Sequence, residues 1–283
     1  MTTATRAIIC AFLLAMVAGC ARVPYTYTSY AERPDTLRLK EGEPQIARGE
    51  PVPVVDALGH YVFSLPSKLL LWNWRVDNHR ISPETEETVV AYLKANGLRQ
   101  VKVRLNQYEP RDEWRRLVRN SAMPGFWRYT FGVLTCAEYT ALPGRLFGGD
   151  CYNPYTNSVN VYSDHRAIAL HECAHAKDFA GRSRAMKGWY SFIRLLPVVP
   201  LYQEGIATGD AIGYVRDVGD ARLEKSSYKI LYPAYCTYIA GEGLRWVRVQ
   251  WWVSYAVTYA AVIPGHIAGR IKAATVSDPA TTP

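Results

Sequence analysis

The stretch AIALHECAHAKDFAG, Ala167 to Gly181, decides how the rest of the chain is read. Ala, Ile, Leu, Cys and Phe fall on nearly every side of its helical wheel, the pattern of a helix buried around most of its circumference. Two histidines and a glutamate nevertheless sit in its middle. An unsatisfied imidazole or carboxylate is costly to bury, so these groups need partners. His171 and His175 are four residues apart, which puts them on one helical face with Cβ atoms about 5–6 Å apart. Two imidazole nitrogens so placed can each approach one ion at about 2.0–2.1 Å. Glu172 points to the side of that face, where it can reach a water beside the ion without binding the ion itself. A metal therefore accounts for both rings and for the glutamate. The plain alternative is a pair of core histidines bonded to carbonyls.

H-E-x-x-H on a helix resembles the zinc metallopeptidase motif. Catalytic zinc of that kind has three protein ligands and an open position. The metzincin continuation is not met: Asp178 stands where its glycine would be, and Gly181 where its third histidine would be. The gluzincin arrangement takes a glutamate from a later helix, and PLYQEGIATGDAIGYVR offers Glu204 in the pattern E-x-x-A. On this resemblance, which spans roughly residues 158–212, Zn2+ is held by His171, His175 and Glu204. Glu172 is then the general base for the attacking water. Gluzincins place Asp or Asn four residues beyond the ligand glutamate, bonded to a ligand histidine. Here Thr208 stands there, and Asp178 or Asp210 could supply that support instead. Gly205, Gly209 and Gly213 recur every four residues in the same segment. Each costs a helix about 0.8–1.0 kcal/mol relative to alanine, which implies close packing along that ridge.

Two rivals share the motif. Peptide deformylases also use H-E-x-x-H, with an upstream cysteine as third ligand, and Cys151 precedes His171. Their E-G-C-L-S context is absent, GGDCYNP standing in its place. The other rival is a non-catalytic envelope lipoprotein with a structural or degenerate zinc site. Structural zinc is usually closed by four protein ligands, so three ligands beside a glutamate favour catalysis.

The first nineteen residues read as an export signal: Arg6, then an apolar run from Ala7 to Ala18, then small residues. VAGC at its end resembles the lipobox of bacterial lipoproteins, which implies lipidation at Cys20. Ala21 behind it suits sorting to an outer membrane, facing the periplasm. Residues 20–60, rich in Pro, Glu, Arg and Tyr, read as a tether. A single metallopeptidase domain is expected over residues 61–283. With 49% hydrophobic and 20% charged residues among 283, it can bury a core and is not a disordered chain. The net charge of +8 is dispersed, apart from clusters such as RDEWRRLVR, which read as a solvated surface. Nucleic acid is therefore not expected as a partner; peptide or protein substrates and a membrane are.

SPETEETVVAYLKANG carries the marks of a helix: Ser82 as cap, Pro83 at the first position, acids in the first turn, Gly97 at the end. RQVKVRLNQY alternates as a half-buried strand should. NSVNVYS, Asn157 to Ser163, is a second strand that could offer its edge to a peptide. Asp164 behind it is a good N-cap for the histidine-bearing helix. Strands early and helices late make the fold class α+β, a small sheet followed by a zincin-like helical core. In an oxidising compartment Cys136 and Cys151 are the plausible disulfide, while Cys173 suits a small core position. The stretch 249–269 lacks acids and bases for about twenty residues and reads as a buried or interfacial helix. LPSKLLLWNW and FIRLLPVVPLY add apolar surface that a membrane could meet.

Overall fold

The structure is a computed structural model, and it describes residues 25–26, 37–245 and 249–277. The leader over residues 1–19 and Cys20 lie outside the described residues. The molecule is mostly helical with one small mixed sheet, in keeping with an α+β class. The described residues fall into two compact units, one within Tyr27–Val199 and one from Pro200 onward with residues 25–26.

The sheet belongs to the first unit. Its strands are β1 (Ile46–Arg48), β2 (Lys102–Leu105), β3 (Cys151–Asn153) and β4 (Ser158–Val161), in the order β1-β2-β4-β3. β1, β2 and β4 run parallel, and β3 closes the row antiparallel to β4. The expected tether therefore ends well before residue 60: Leu37 is buried and Ile46–Arg48 are in the sheet. Prolines and charges made that stretch look extended, whereas it forms an edge strand followed by short helices. Nor is NSVNVYS an edge, since β4 pairs on both sides; the outer strand is β3.

Alternation along β2 is present, but both of its faces are covered. Val103, Leu105, Val159 and Val161 form one face, none of them exposed. The other face carries Arg104 and Ser158, and it is covered by the helix Pro110–Arg119. That helix is the charged cluster RDEWRRLVR, which the sequence placed in solvent. Glu113 within it is fully buried, ion-paired to Arg104, and accepts hydrogen bonds from Ser158 Oγ at 2.8 Å and Asn153 Nδ2 at 3.4 Å. Asp112 takes the other Arg104 nitrogen at 2.6 Å. Arg116, also buried, donates from Nε to the Thr156 carbonyl at 2.9 Å.

We number the helices that matter here in chain order: α1 (Pro53–Leu58), α2 (Leu65–Leu71), α3 (Pro83–Ala95), α4 (Pro110–Arg119), α5 (Val133–Ala141), α6 (Arg166–Ala180), α7 (Arg184–Ile193), α8 (Val199–Asp217), α9 (Ala221–Leu244) and α10 (Trp251–Ala274). α3 begins as its sequence dictates, with Ser82 Oγ accepting from Thr85 N and Pro83 in the first turn. Asp164 does not cap α6. It accepts instead from Ser82 N at 2.9 Å, Ser82 Oγ at 2.6 Å and Thr85 Oγ1 at 2.7 Å, bracing the start of α3. Burial alone would raise its carboxyl, but these donors hold it below the ordinary value.

In the second unit α9 and α10 pack against each other. A Cβ on Gly269 would stand 2.3 Å from the Tyr228 carbonyl oxygen, so only glycine allows the approach. α10 is the expected helix over 249–269. No described helix is long and apolar enough to cross a membrane. The cysteines 136, 151, 173 and 236 are all free, which removes the expected 136–151 bridge. Cys136 packs instead in α5 against Leu117, Met123 and Tyr155, and burial pushes its thiol up to about 12.

Glu113→Ala should destabilise the sheet unit by about 3 kcal/mol, because Arg104 stays buried with half its partners gone. Glu86→Ala, which breaks the exposed pair with Arg48, should cost less than about 1 kcal/mol. Urea unfolding of both variants beside the parent measures the contrast.

Candidate metal centre

α6 is buried along most of its length, every residue from His171 to Lys177 included. It packs on β3, β4 and α3. Phe179 holds its far end between Tyr152 of β3, with ring centroids 5.5 Å apart, and Tyr190 of α7 at 5.1 Å. Small residues at Ala169, Cys173, Ala174 and Ala176 let the helix sink this far. Burial pushes the Cys173 thiol well above its ordinary value, so it serves as packing and not as a nucleophile.

On this helix the rings of His171 and His175 stand 4.7 Å apart, nearly perpendicular at 84°. Glu172 beside them is 7% exposed. Glu204, on α8, is wholly buried. His171, His175 and Glu204 each offer one ligand atom, and these atoms lie within 4.8 Å of one another. This buried group could hold a metal ion. Its donor set, two imidazoles and a carboxylate, is the kind that suits zinc among other ions. Cys151 is not part of the group.

The candidates for support of His171 and His175 divide. Asp178 is ion-paired through Oδ1 to Arg182 at 2.7 Å, and that guanidinium lies over the Tyr190 ring at 3.3 Å. Thr208 is buried and Asp210 half-buried, both on α8. Of the glycine ridge, Gly213 has a visible reason within its own unit. A Cβ there would lie 2.9 Å from Tyr25 Cβ, and the Tyr25 ring packs edge-on against Tyr214.

A cavity away from this group was not legible in the sequence. A cavity of about 480 Å³ opens at the carboxyl ends of β1 and β2, lined among others by Arg48, Asp56, His60, His79, Arg80 and Asn106. His79 Nδ1 bonds Asn106 Oδ1 at 3.0 Å, and burial lowers its pKa. Asp77, His79 and Asn106 all hold left-handed backbone, at φ of 43°, 57° and 48°. Asp, Asn and His tolerate that conformation, and their clustering in space is the part that spacing in the chain conceals.

His165, the residue before α6, gives this region a pH dependence. Burial, with Arg75 and Arg166 close by, pushes its pKa to about 4. In the unfolded chain the imidazole titrates at about 6.5. Between these values the unfolded state binds a proton that the folded state refuses, so this contribution to stability is present above about 6.5 and lost toward about 4. In His165→Asn, thermal unfolding midpoints should fall less than those of the parent across that window. Comparison of the chain with protein-family models, with curated proteins and with solved structures finds no match.

Proposed function

We propose that the chain is a zinc-dependent metallopeptidase of the gluzincin kind, hydrolysing peptide bonds in the bacterial cell envelope. The observation that carries the reading is the buried group His171, His175 and Glu204 with Glu172 next to one of its histidines. These three residues would hold the ion, leaving a position open for water and substrate. Zinc so bound would supply a Lewis acid for the scissile carbonyl and make a water nucleophilic near neutral pH. Glu172 takes the proton of that water as its oxygen attacks the carbonyl carbon. The same carboxyl then gives the proton to the amine nitrogen as the C–N bond breaks. Burial of Glu172 keeps competing water away from it.

An extended peptide has a place to lie in this reading. β3 is an outer strand with Cys151 exposed, and α6 packs against it. Its free edge can pair with substrate backbone, whatever the side chains. The leader and Cys20 add export and a lipid anchor, with the enzyme facing the periplasm from the outer membrane. The envelope substrate is a peptide or protein.

The test is metal content and turnover of the full chain. About one zinc per chain is expected, lost in His175→Ala and in Glu204→Ala. Glu172→Gln should keep the zinc and lose about 10²–10⁴-fold in cleavage of an unfolded protein such as casein. Absence of zinc after reconstitution ends the reading. Zinc that survives Glu204→Ala moves the third ligand elsewhere. Zinc without any turnover leaves the alternative, a lipoprotein with a structural or degenerate site.

A further inference from the structure

α2 is built inside out. Its lysine, Lys68, is 3% exposed, while Leu65 and Leu69 on the same short helix are 37% and 47% exposed. An ammonium goes into a protein interior only if its donors are matched, and here they are. Lys68 Nζ donates to Ser64 Oγ, to the Val76 carbonyl and, at 3.3 Å, to the Asp77 carbonyl. A helix on a water-facing surface normally does the reverse, with lysine out and leucine in.

The neighbourhood repeats the pattern. Val54 on α1 is exposed, as are Tyr61 and Val62 in the turn Gly59–Phe63, and Trp74 after α2 is 62% exposed. Charge has been withdrawn from the same surface. Asp56 is engaged by Arg145 at 3.3 Å, and Asp77 is buried. Between residues 51 and 80 the charged side chains left exposed are Arg75 and Arg80, both cationic. Exposed apolar side chains gathered on adjoining elements in this way mark a contact site.

We propose that the segment Pro53–Trp74 docks its unit on an anionic lipid surface, with α2 lying in the plane of the interface. Two features favour lipid over a protein partner. A bilayer surface asks for apolar side chains, Trp and Tyr at the boundary and cations beside them; the segment exposes the first two, and Arg75 and Arg80 directly after it supply the third. A protein interface asks for a rim of matched hydrogen-bonding groups as well, whereas the charged groups here point inward or are cationic. A second copy would bring Arg75 and Arg80 to the same patch. The helices are far too short to span, since a span takes about 20 residues, so the contact is interfacial. This inference does not rest on the hydrolase reading, and the variants below leave His171, His175 and Glu204 untouched.

Hydrogen exchange read by mass spectrometry on the full chain tests it, because the readout is local and a lipid anchor elsewhere does not imitate it. The probes are vesicles of phosphatidylcholine with phosphatidylglycerol, and of phosphatidylcholine alone. Amides over residues 53–74 should exchange several-fold more slowly on the anionic vesicles, and less so on the neutral ones. Leu65→Asp with Leu69→Asp should abolish that slowing while the melting temperature and zinc content stay those of the parent. Arg75→Glu with Arg80→Glu, which leaves the apolar residues in place, should abolish the difference between the two vesicle types. Unchanged exchange over 53–74 on vesicles overturns the proposal, even if the chain floats with them. So does slowing confined to α10, or slowing that appears without vesicles as protein concentration rises, which would mean a second copy.

Discussion

Glu113 is the group on which the sheet unit depends. It is a fully buried carboxylate on α4 that meets Arg104 from β2, Ser158 from β4 and Asn153 from β3. Three strands are thereby referenced to one side chain. A buried ion pair of this kind contributes little against a well-packed apolar alternative, and much against loss of one partner. Its consequence here is register. β2 and β4 are four residues each, and parallel pairs so short have few ladder bonds of their own. β4 leads directly into α6, so the carboxylate that sets β4 also sets where the histidine-bearing helix starts.

α6 buries polar groups in a different setting. The sheet's buried charges are matched by other side chains within the same unit, and the match is visible as ion pairs and hydrogen bonds. His171, Glu172 and His175 sit in a helix whose neighbours are mostly Ala, Cys, Leu and Phe. Small residues bring surrounding backbone close to these three side chains. A ligand set drawn from α6 and α8 exists only in the folded chain, so any ion that binds it stabilises the fold by mass action. A site of this kind is a constraint on folding whatever chemistry it performs.

What could be read from the chain was whatever local chemistry dictates. Ser82, Pro83 and the acids behind them specify the start of α3 without help from the rest of the molecule. The i, i+4 spacing of His171 and His175 likewise needs only helical geometry. Two residues show where such reading stops. Asp164 has the right side chain to cap α6, yet it bonds Ser82 and Thr85, which lie far away in sequence. Arg104 alternates with valine and leucine as a solvent-facing residue would, yet α4 covers it. In both cases the deciding partner is distant in the chain. Composition misled in the same way over residues 37–60, where prolines and charges suggested a tether and the sheet recruits Ile46–Arg48 as an edge.

Lys68 carries this reasoning to the surface. A lysine ammonium on a surface helix ordinarily stays in water while its stem lies along the protein. Instead the chain orders a long side chain inward, which costs it about 2 kcal/mol of rotamer freedom, and keeps Leu65 and Leu69 outside. Apolar area left in water forfeits about 25 cal/mol for each Å² that burial would have removed. A surface that gives up both terms at once is more costly in water than its inverse would be. The arrangement becomes favourable once water is replaced on that side by something apolar, because the leucines then gain burial while the lysine is already satisfied within the protein.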